Sequence, residues 1–182
     1  MTVVLMVLDG LGARQVTPQL MPTLHGWGTE GTVRPEGAIS VLCSSTYPNV
    51  GSVGTGTLPS EHGIFSNEVA VDRVPMPASA VGPSVPTFFD EASEVVVGDQ
   101  HLIGVTAAHT AGSHWPPWGE LPVEGTALDA FGYIADHEVA IRVIAALGRQ
   151  PDFLFIQLNG PDTAAHAHGP DSEEAIESYR SL

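Results

Sequence analysis

Two segments of this chain are apolar at almost every position, and they restrict its fold more than any other feature. Val3-Val4-Leu5-Met6-Val7-Leu8 is rich in β-branched residues and ends at Asp9-Gly10-Leu11-Gly12. Phe153-Leu154-Phe155-Ile156-Gln157-Leu158 ends at Asn159-Gly160-Pro161-Asp162. A strand with one wet face alternates apolar and polar side chains, whereas a continuous apolar run needs cover on both faces. Both segments are therefore expected to be interior strands of a mainly parallel sheet. His101–Ala107 is a weaker third run. Between the runs lie helical patterns at Pro22–Trp27, Pro86–Ser93 and His137–Leu147. The last has apolar residues at Val139, Ile141, Val143, Ile144 and Leu147, with Gly148 placed to cap it. Alternating strands and helices predict an α/β fold, a central sheet flanked by helices in a single domain over residues 1–182.

Charge and composition exclude several functions. There are 21 Asp+Glu against 6 Lys+Arg, a formal net charge of −15. No basic cluster exists to neutralise nucleic-acid phosphates or an anionic membrane surface. No apolar run approaches the roughly 18 residues of a membrane span. Cys43 is the only cysteine, so neither an intrachain disulfide nor a cysteine-based zinc cluster can form. Eight histidines beside many carboxylates are the raw material of a site for a divalent ion. No basic segment precedes Val3, so a cytoplasmic location is expected. Val69–Pro86 and Thr110–Gly125 are dominated by Pro, Gly, Ser and Trp and read as long loops, with Trp115 and Trp118 in the second. Asp171-Ser172-Glu173-Glu174 reads as a helix start with Asp171 as cap, and the sequence stops at Leu182 inside that helix. The expectation is the N-terminal portion of a longer catalytic domain.

In an open parallel sheet, ligands bind beyond the carboxyl ends of the strands. Asp9 directly follows the first run and Asp162 lies just after the second, with His166 one helical turn further on. Converging carboxylates and an imidazole there suit a divalent cation. Ser44-Ser45-Thr46-Tyr47-Pro48 adds a helix start, because Pro is tolerated in a first turn. A hydroxyl at that place meets free N–H groups and the positive end of the helix dipole. Gly51-Ser-Val-Gly54-Thr-Gly56 has neither dinucleotide-loop nor Walker spacing. Those glycines are expected to let the helix pack closely on the sheet.

Thr46-Tyr47-Pro48-Asn49, followed by Thr55-Gly56-Thr57-Leu58-Pro59-Ser60-Glu61-His62-Gly63-Ile64-Phe65-Ser66-Asn67, resembles the nucleophile region of type I phosphodiesterases/nucleotide pyrophosphatases, members of the alkaline phosphatase superfamily. Leu8-Asp9-Gly10 is similar to that family's first metal-binding strand end. Pro161-Asp162-Thr163-Ala164-Ala165-His166-Ala167-His168-Gly169-Pro170 is similar to its Asp…His segment. The resemblance implies an alkaline-phosphatase-like fold and roles for five residues. Thr46 would be the nucleophile and, with Asp9, would bind one zinc. Asp162 and His166 would bind a second zinc, and Asn67 would hydrogen-bond a phosphate oxygen. Two zinc ions about 4 Å apart would activate the hydroxyl and neutralise a small phosphate-ester or nucleotide-like substrate. In the family an Asp-His pair and a further His complete these sites, and no residue here matches them. His62 is expected to be structural, and His168 is left unassigned. Alternative expectations are a hydrolase of phosphonates, phosphomonoesters or sulfate esters, or a truncated non-catalytic module.

Overall fold

The computed structural model describes residues 2–78, 81–87, 127–130, 132–148 and 150–182. Strand β1 (Val3–Leu8) pairs in parallel with β4 (Phe153–Leu158), in register from Val3 opposite Phe153 to Leu8 opposite Leu158. Helices α1 (Pro22–Glu30), α2 (Thr46–Thr55) and the short α3 (Pro59–His62) follow β1. After them come an antiparallel hairpin, β2 (Glu68–Val71) and β3 (Val74–Pro77), and helix α4 (Asp136–Leu147). Helices α5 (Gly160–His168) and α6 (Glu173–Ser181) follow β4. The arrangement is α/β, a parallel pair flanked by helices.

Strand β4 is covered on both faces, as its apolar character demands. Phe155 joins Tyr47, Val50, Ile64 and Ala78 on one side, with Leu5 and Val7 of β1 packed against them. Leu154 and Ile156 meet Ile134, Val139 and Ala146 on the other. A third cluster, Met21, Ala175 and Tyr179, receives Leu8, Leu11, Leu20 and Leu24. Each large aliphatic or aromatic side chain buried in this way contributes about 1.5–3 kcal/mol of transfer free energy.

The sequence reading needs correction at several places. Strand β1 is not interior among the described residues: β4 is its one strand neighbour there, and Val3, Val4 and Met6 are 49%, 48% and 39% exposed. Met6 borders an apolar groove of about 300 Å³ shared with Leu24, Trp27, Val143 and Leu182, so its face is incompletely covered. The segment read as a loop from Val69 contains the β2–β3 hairpin, turned by Asp72 and Arg73 at φ of 50° and 67°. Helix α1 runs on from Trp27 to Glu30. Gly148 is the C-cap of α4 but stays right-handed. Ser172, not Asp171, caps α6: its hydroxyl accepts the Ala175 N–H at 3.1 Å, while Asp171 pairs with Arg14. The third strand (His101–Ala107), most of the Pro86–Ser93 helix and the Thr110–Gly125 loop lie outside the described residues. Among the described residues no helix is long and apolar enough to cross a membrane.

Candidate active site

The parallel register brings two chain segments to one edge. The Asp9 N–H continues the ladder by donating to the Leu158 carbonyl at 2.9 Å, so Asp9 and Asn159 leave the sheet side by side. Gly10 follows in the left-handed region, φ +73°. A Cβ there would stand 2.6 Å from the Asp162 backbone nitrogen, so only glycine allows the loop after β1 to touch the first turn of α5. The Tyr179 hydroxyl reaches the Gly10 carbonyl from α6 at 3.4 Å. Asp136 anchors the other side, accepting the N–H groups of Asn159 and Gly160 at 2.9 and 3.0 Å. These are donors that the start of a helix leaves without intrahelical partners. Burial pushes the Asp136 carboxyl above the usual carboxylate range, and those two N–H groups pull it back.

Thr46 is the first residue of α2, so the Ser45 N-cap position is not its own. Its hydroxyl donates to Asp9 Oδ2 at 3.1 Å. Asn67 supports the same helix end, its Oδ1 accepting the Tyr47 N–H at 2.9 Å. That bond leaves the Asn67 amide nitrogen as the donor end of the side chain. Asn49 ties the preceding loop to the helix, accepting from the Val41 N–H and donating to the Ser45 carbonyl. Asp9, Thr46, Asn67, Asp162 and His166 all line one cleft of about 960 Å³.

The electrostatics of this cleft are those of two desolvated acids close together. Burial raises the Asp9 carboxyl, while the hydrogen bonds from Thr46 and Gly10 and the nearby His166 lower it. Burial also raises Asp162, and the charge of Asp9 raises it further. His166 sits 3.5 Å from Asp162 and opposes the shift. No Lys or Arg is among the described residues lining the cleft. Its own charge therefore repels a phosphate, and a cation would relieve both the repulsion and the desolvated acids. Oxygen and imidazole donors fit a hard or borderline divalent ion. Among the described residues, however, no group of three or more His, Cys, Asp or Glu is gathered closely enough to hold one.

Two histidines stand apart from this arrangement. His62 is fully buried; its Nδ1 accepts the Ile64 N–H at 3.1 Å and its Nε2 contacts Ser52 Oγ at 2.9 Å. With Nδ1 accepting, Nε2 carries the proton and donates, so the ring has no lone pair with which to activate Ser52. Burial lowers the His62 pKa, which keeps the ring neutral. A Cβ on Gly51 would lie 3.1 Å from the ring, so this glycine packs α2 against His62 and Ile64 rather than against the sheet. His168 lies 4.0 Å from Glu174 on the exposed side of α5. Ser52→Ala is expected to leave turnover unchanged and to cost about 0.5–1.5 kcal/mol for the lost hydrogen bond, because the Pro48 backbone remains a partner of the His62 ring. Parallel assays and denaturant midpoints check this; a collapse of turnover would make the pair part of the chemistry.

The residues that the sequence reading missed are those with supporting contacts: Asp136, Tyr179, Asn159 and Gln157. Asp136 had a legible signal, as an acidic residue at the head of the α4 pattern. Gln157 had another, as the lone polar residue in the β4 run. The partner of neither can be read from sequence.

Comparison with known proteins identifies the family. Residues 3–182 match the family described as type I phosphodiesterase / nucleotide pyrophosphatase. Bis(5'-adenosyl)-triphosphatase enpp4 of Xenopus laevis is 27% identical over 176 residues, covering 92% of this chain and 37% of the relative. Ectonucleotide pyrophosphatase/phosphodiesterase family member 1 of Rattus norvegicus is 26% identical over 153 residues, covering 78% of this chain and 16% of the relative. The chain thus spans well under half the length of these two relatives.

Proposed function

The chain belongs to the type I phosphodiesterase/nucleotide pyrophosphatase family, and from that membership and its cleft we propose that it hydrolyses phosphodiester or nucleotide pyrophosphate bonds with Thr46 as nucleophile. The observation that carries this reading is the Thr46–Asp9 contact at the head of α2. A hydroxyl there stands at the positive end of a helix, beside a carboxylate that takes its hydrogen bond and leaves the oxygen lone pairs free. Attack by Thr46 Oγ, its proton leaving along the hydrogen bond to Asp9, forms the new P–O bond as the bond to the leaving oxygen breaks, and water then cleaves the resulting threonyl phosphodiester at its Thr46 P–O bond and returns the proton balance. Over the cycle one water is consumed, giving a monoester or nucleotide and an alcohol or phosphate group. The Asn67 amide nitrogen donates to a non-bridging oxygen of the bound phosphate.

Asp9 and Thr46 would hold one divalent ion, and Asp162 and His166 a second, with zinc the expected metal. When bound, such ions supply positive charge for the phosphate and lower the pKa of the hydroxyl. Two donors on each side are fewer than a tight zinc site uses, so further ligands would have to complete it. The names of the two relatives favour a nucleotide-derived substrate, with an adenosine polyphosphate the first to try.

The test is hydrolysis of a nitrophenyl phosphodiester by the natural protein, with a nitrophenyl phosphomonoester, a phosphonate and a sulfate ester alongside. Chelator-sensitive turnover highest on the diester supports the proposal. Preference for another ester class would move the chain to a different hydrolase of the superfamily. A second reading, a module that keeps the fold without the metal chemistry, is favoured by the lack of a three-ligand group among the described residues. Protein that carries no zinc and hydrolyses none of the four esters would establish it.

A further inference from the structure

Gln157 is a polar side chain in the buried middle of the fold, 1% exposed. Its Nε2 donates to Asp9 Oδ2 at 3.2 Å and to Asn159 Oδ1 at 2.8 Å. Its Oε1 is buried and has no hydrogen-bond partner among the described residues. Turning the amide over would set Oε1 against both of those acceptors, so a flip does not relieve it. A buried acceptor without a partner is costly, and it persists where the other end of the group is needed. The register explains the reach. Gln157 pairs with Val7, and because side chains alternate along a strand, Asp9 and Asn159 each fall on the same face two residues later. The three groups, with Thr46, Asn67, Tyr133 and Asp162, enclose a void of only about 20 Å³. That is room for little more than one water-sized probe, so on this side the Asp9 carboxylate is packed closely against Gln157 and Asn159, while its other side faces the cleft.

We propose that Gln157 is a positioning residue of the site, tying the Asp9 carboxylate at the end of β1 to Asn159 at the head of α5. One amide thereby sets the spacing between Asp9 and the Asp162–His166 pair on that helix. The proposal rests on the cation-assisted reading above; Gln157 itself touches neither substrate nor ion.

The experiment uses the natural protein and its Gln157→Met variant, which keeps side-chain length and apolar bulk but has no donor. Cobalt(II) is the probe, read by titration and by its visible absorption. The expected result is cobalt affinity weakened about 10- to 100-fold, the range for groups that orient metal ligands. The visible band should change shape, and kcat should fall more than KM rises. A merely structural role would lower the melting temperature while the folded variant kept wild-type cobalt affinity and spectrum, and that result overturns the proposal. A second measurement needs no variant. The Gln157 side-chain NH2 protons should exchange with solvent far more slowly than those of Gln19, which is exposed, and should shift when zinc is added; exchange as fast as that of Gln19 also overturns the proposal. Wild-type protein that takes up no cobalt and hydrolyses nothing overturns the functional reading, and this proposal with it. Unaltered cobalt binding in Gln157→Met overturns this proposal alone.

Discussion

Thr46→Ala should lower phosphodiester turnover by about 10⁴-fold or more while the protein keeps its fold and most of its bound cation. Removing a nucleophile costs on this scale even when every positioning group remains. The fold is expected to survive because α2 does not depend on the hydroxyl. Its first turn is held by Asn67 on the Tyr47 N–H and by Asn49 on the Ser45 carbonyl and the Val41 N–H. The substitution removes one hydrogen bond, to Asp9 Oδ2, and that carboxylate keeps the Gly10 N–H and the Gln157 amide. Thr46→Ser restores a hydroxyl at the same Cβ and should recover much of the rate. Turnover, zinc content and melting temperature measured on the three proteins decide the matter. A Thr46→Ala protein with wild-type turnover ends the nucleophile assignment, and one that loses zinc along with turnover makes the hydroxyl a ligand first.

What could be read from sequence followed how local each signal was. Continuous apolar runs reveal strands, and β1 and β4 fall on the predicted residues because six apolar or nearly apolar positions in a row have few other uses. Apolar character does not reveal which neighbour covers a strand. Hence Val3, Val4 and Met6 look interior in sequence and are partly exposed among the described residues. The β2–β3 hairpin was hidden for two reasons. Its turn uses Asp72 and Arg73 at positive φ where glycine would have signalled it, and Pro75 and Pro77 stand within β3. Proline in a run reads as loop, although an edge strand tolerates it. Choosing between Asp171 and Ser172 as the cap of α6 depends on which residue is extended just before the helix, and either side chain could have served. The strand-end acids were legible because Asp9 and Asp162 abut recognisable runs. The bonds that hold their segments, from Gln157 to Asp9, from the Asn159 N–H to Asp136 and from Tyr179 to the Gly10 carbonyl, join residues far apart in the chain, and no local pattern encodes such pairs.

Asp162→Asn should make the cation-free protein more stable at neutral pH and remove its response to zinc. The sign follows from the direction of the shifts. Burial raises both Asp9 and Asp162 above the ordinary carboxylate value of 3.8, and for Asp162 the charge of Asp9 raises it further. A carboxyl whose folded pKa is raised stabilises the fold fully below its unfolded value. That contribution is lost as pH climbs through the raised one. At neutral pH, without a cation, the ionised pair therefore opposes folding, and Asn at 162 removes one of the two charges. Among the described residues the Asp162 carboxylate takes no backbone hydrogen bond and has only its 3.5 Å contact with His166, so little offsets the gain. Zinc reverses the order. Free ion at about 100 times its Kd should stabilise the wild type by about 2.7 kcal/mol. The variant should gain little, because the second ion keeps His166 as its one ligand of the pair. Phosphodiester turnover should fall about 10³-fold, the loss of roughly 4 kcal/mol of charge stabilisation at the transferring phosphoryl group. Thermal melts of both proteins from pH 4 to 8, with chelator and with zinc, give the full set. In chelator, the stability gap between variant and wild type should widen as pH rises from the carboxylate range towards neutrality. A variant less stable than wild type in chelator at neutral pH, or stabilised by zinc as strongly as the wild type, would show that Asp162 is a structural acid and not the partner of a cation.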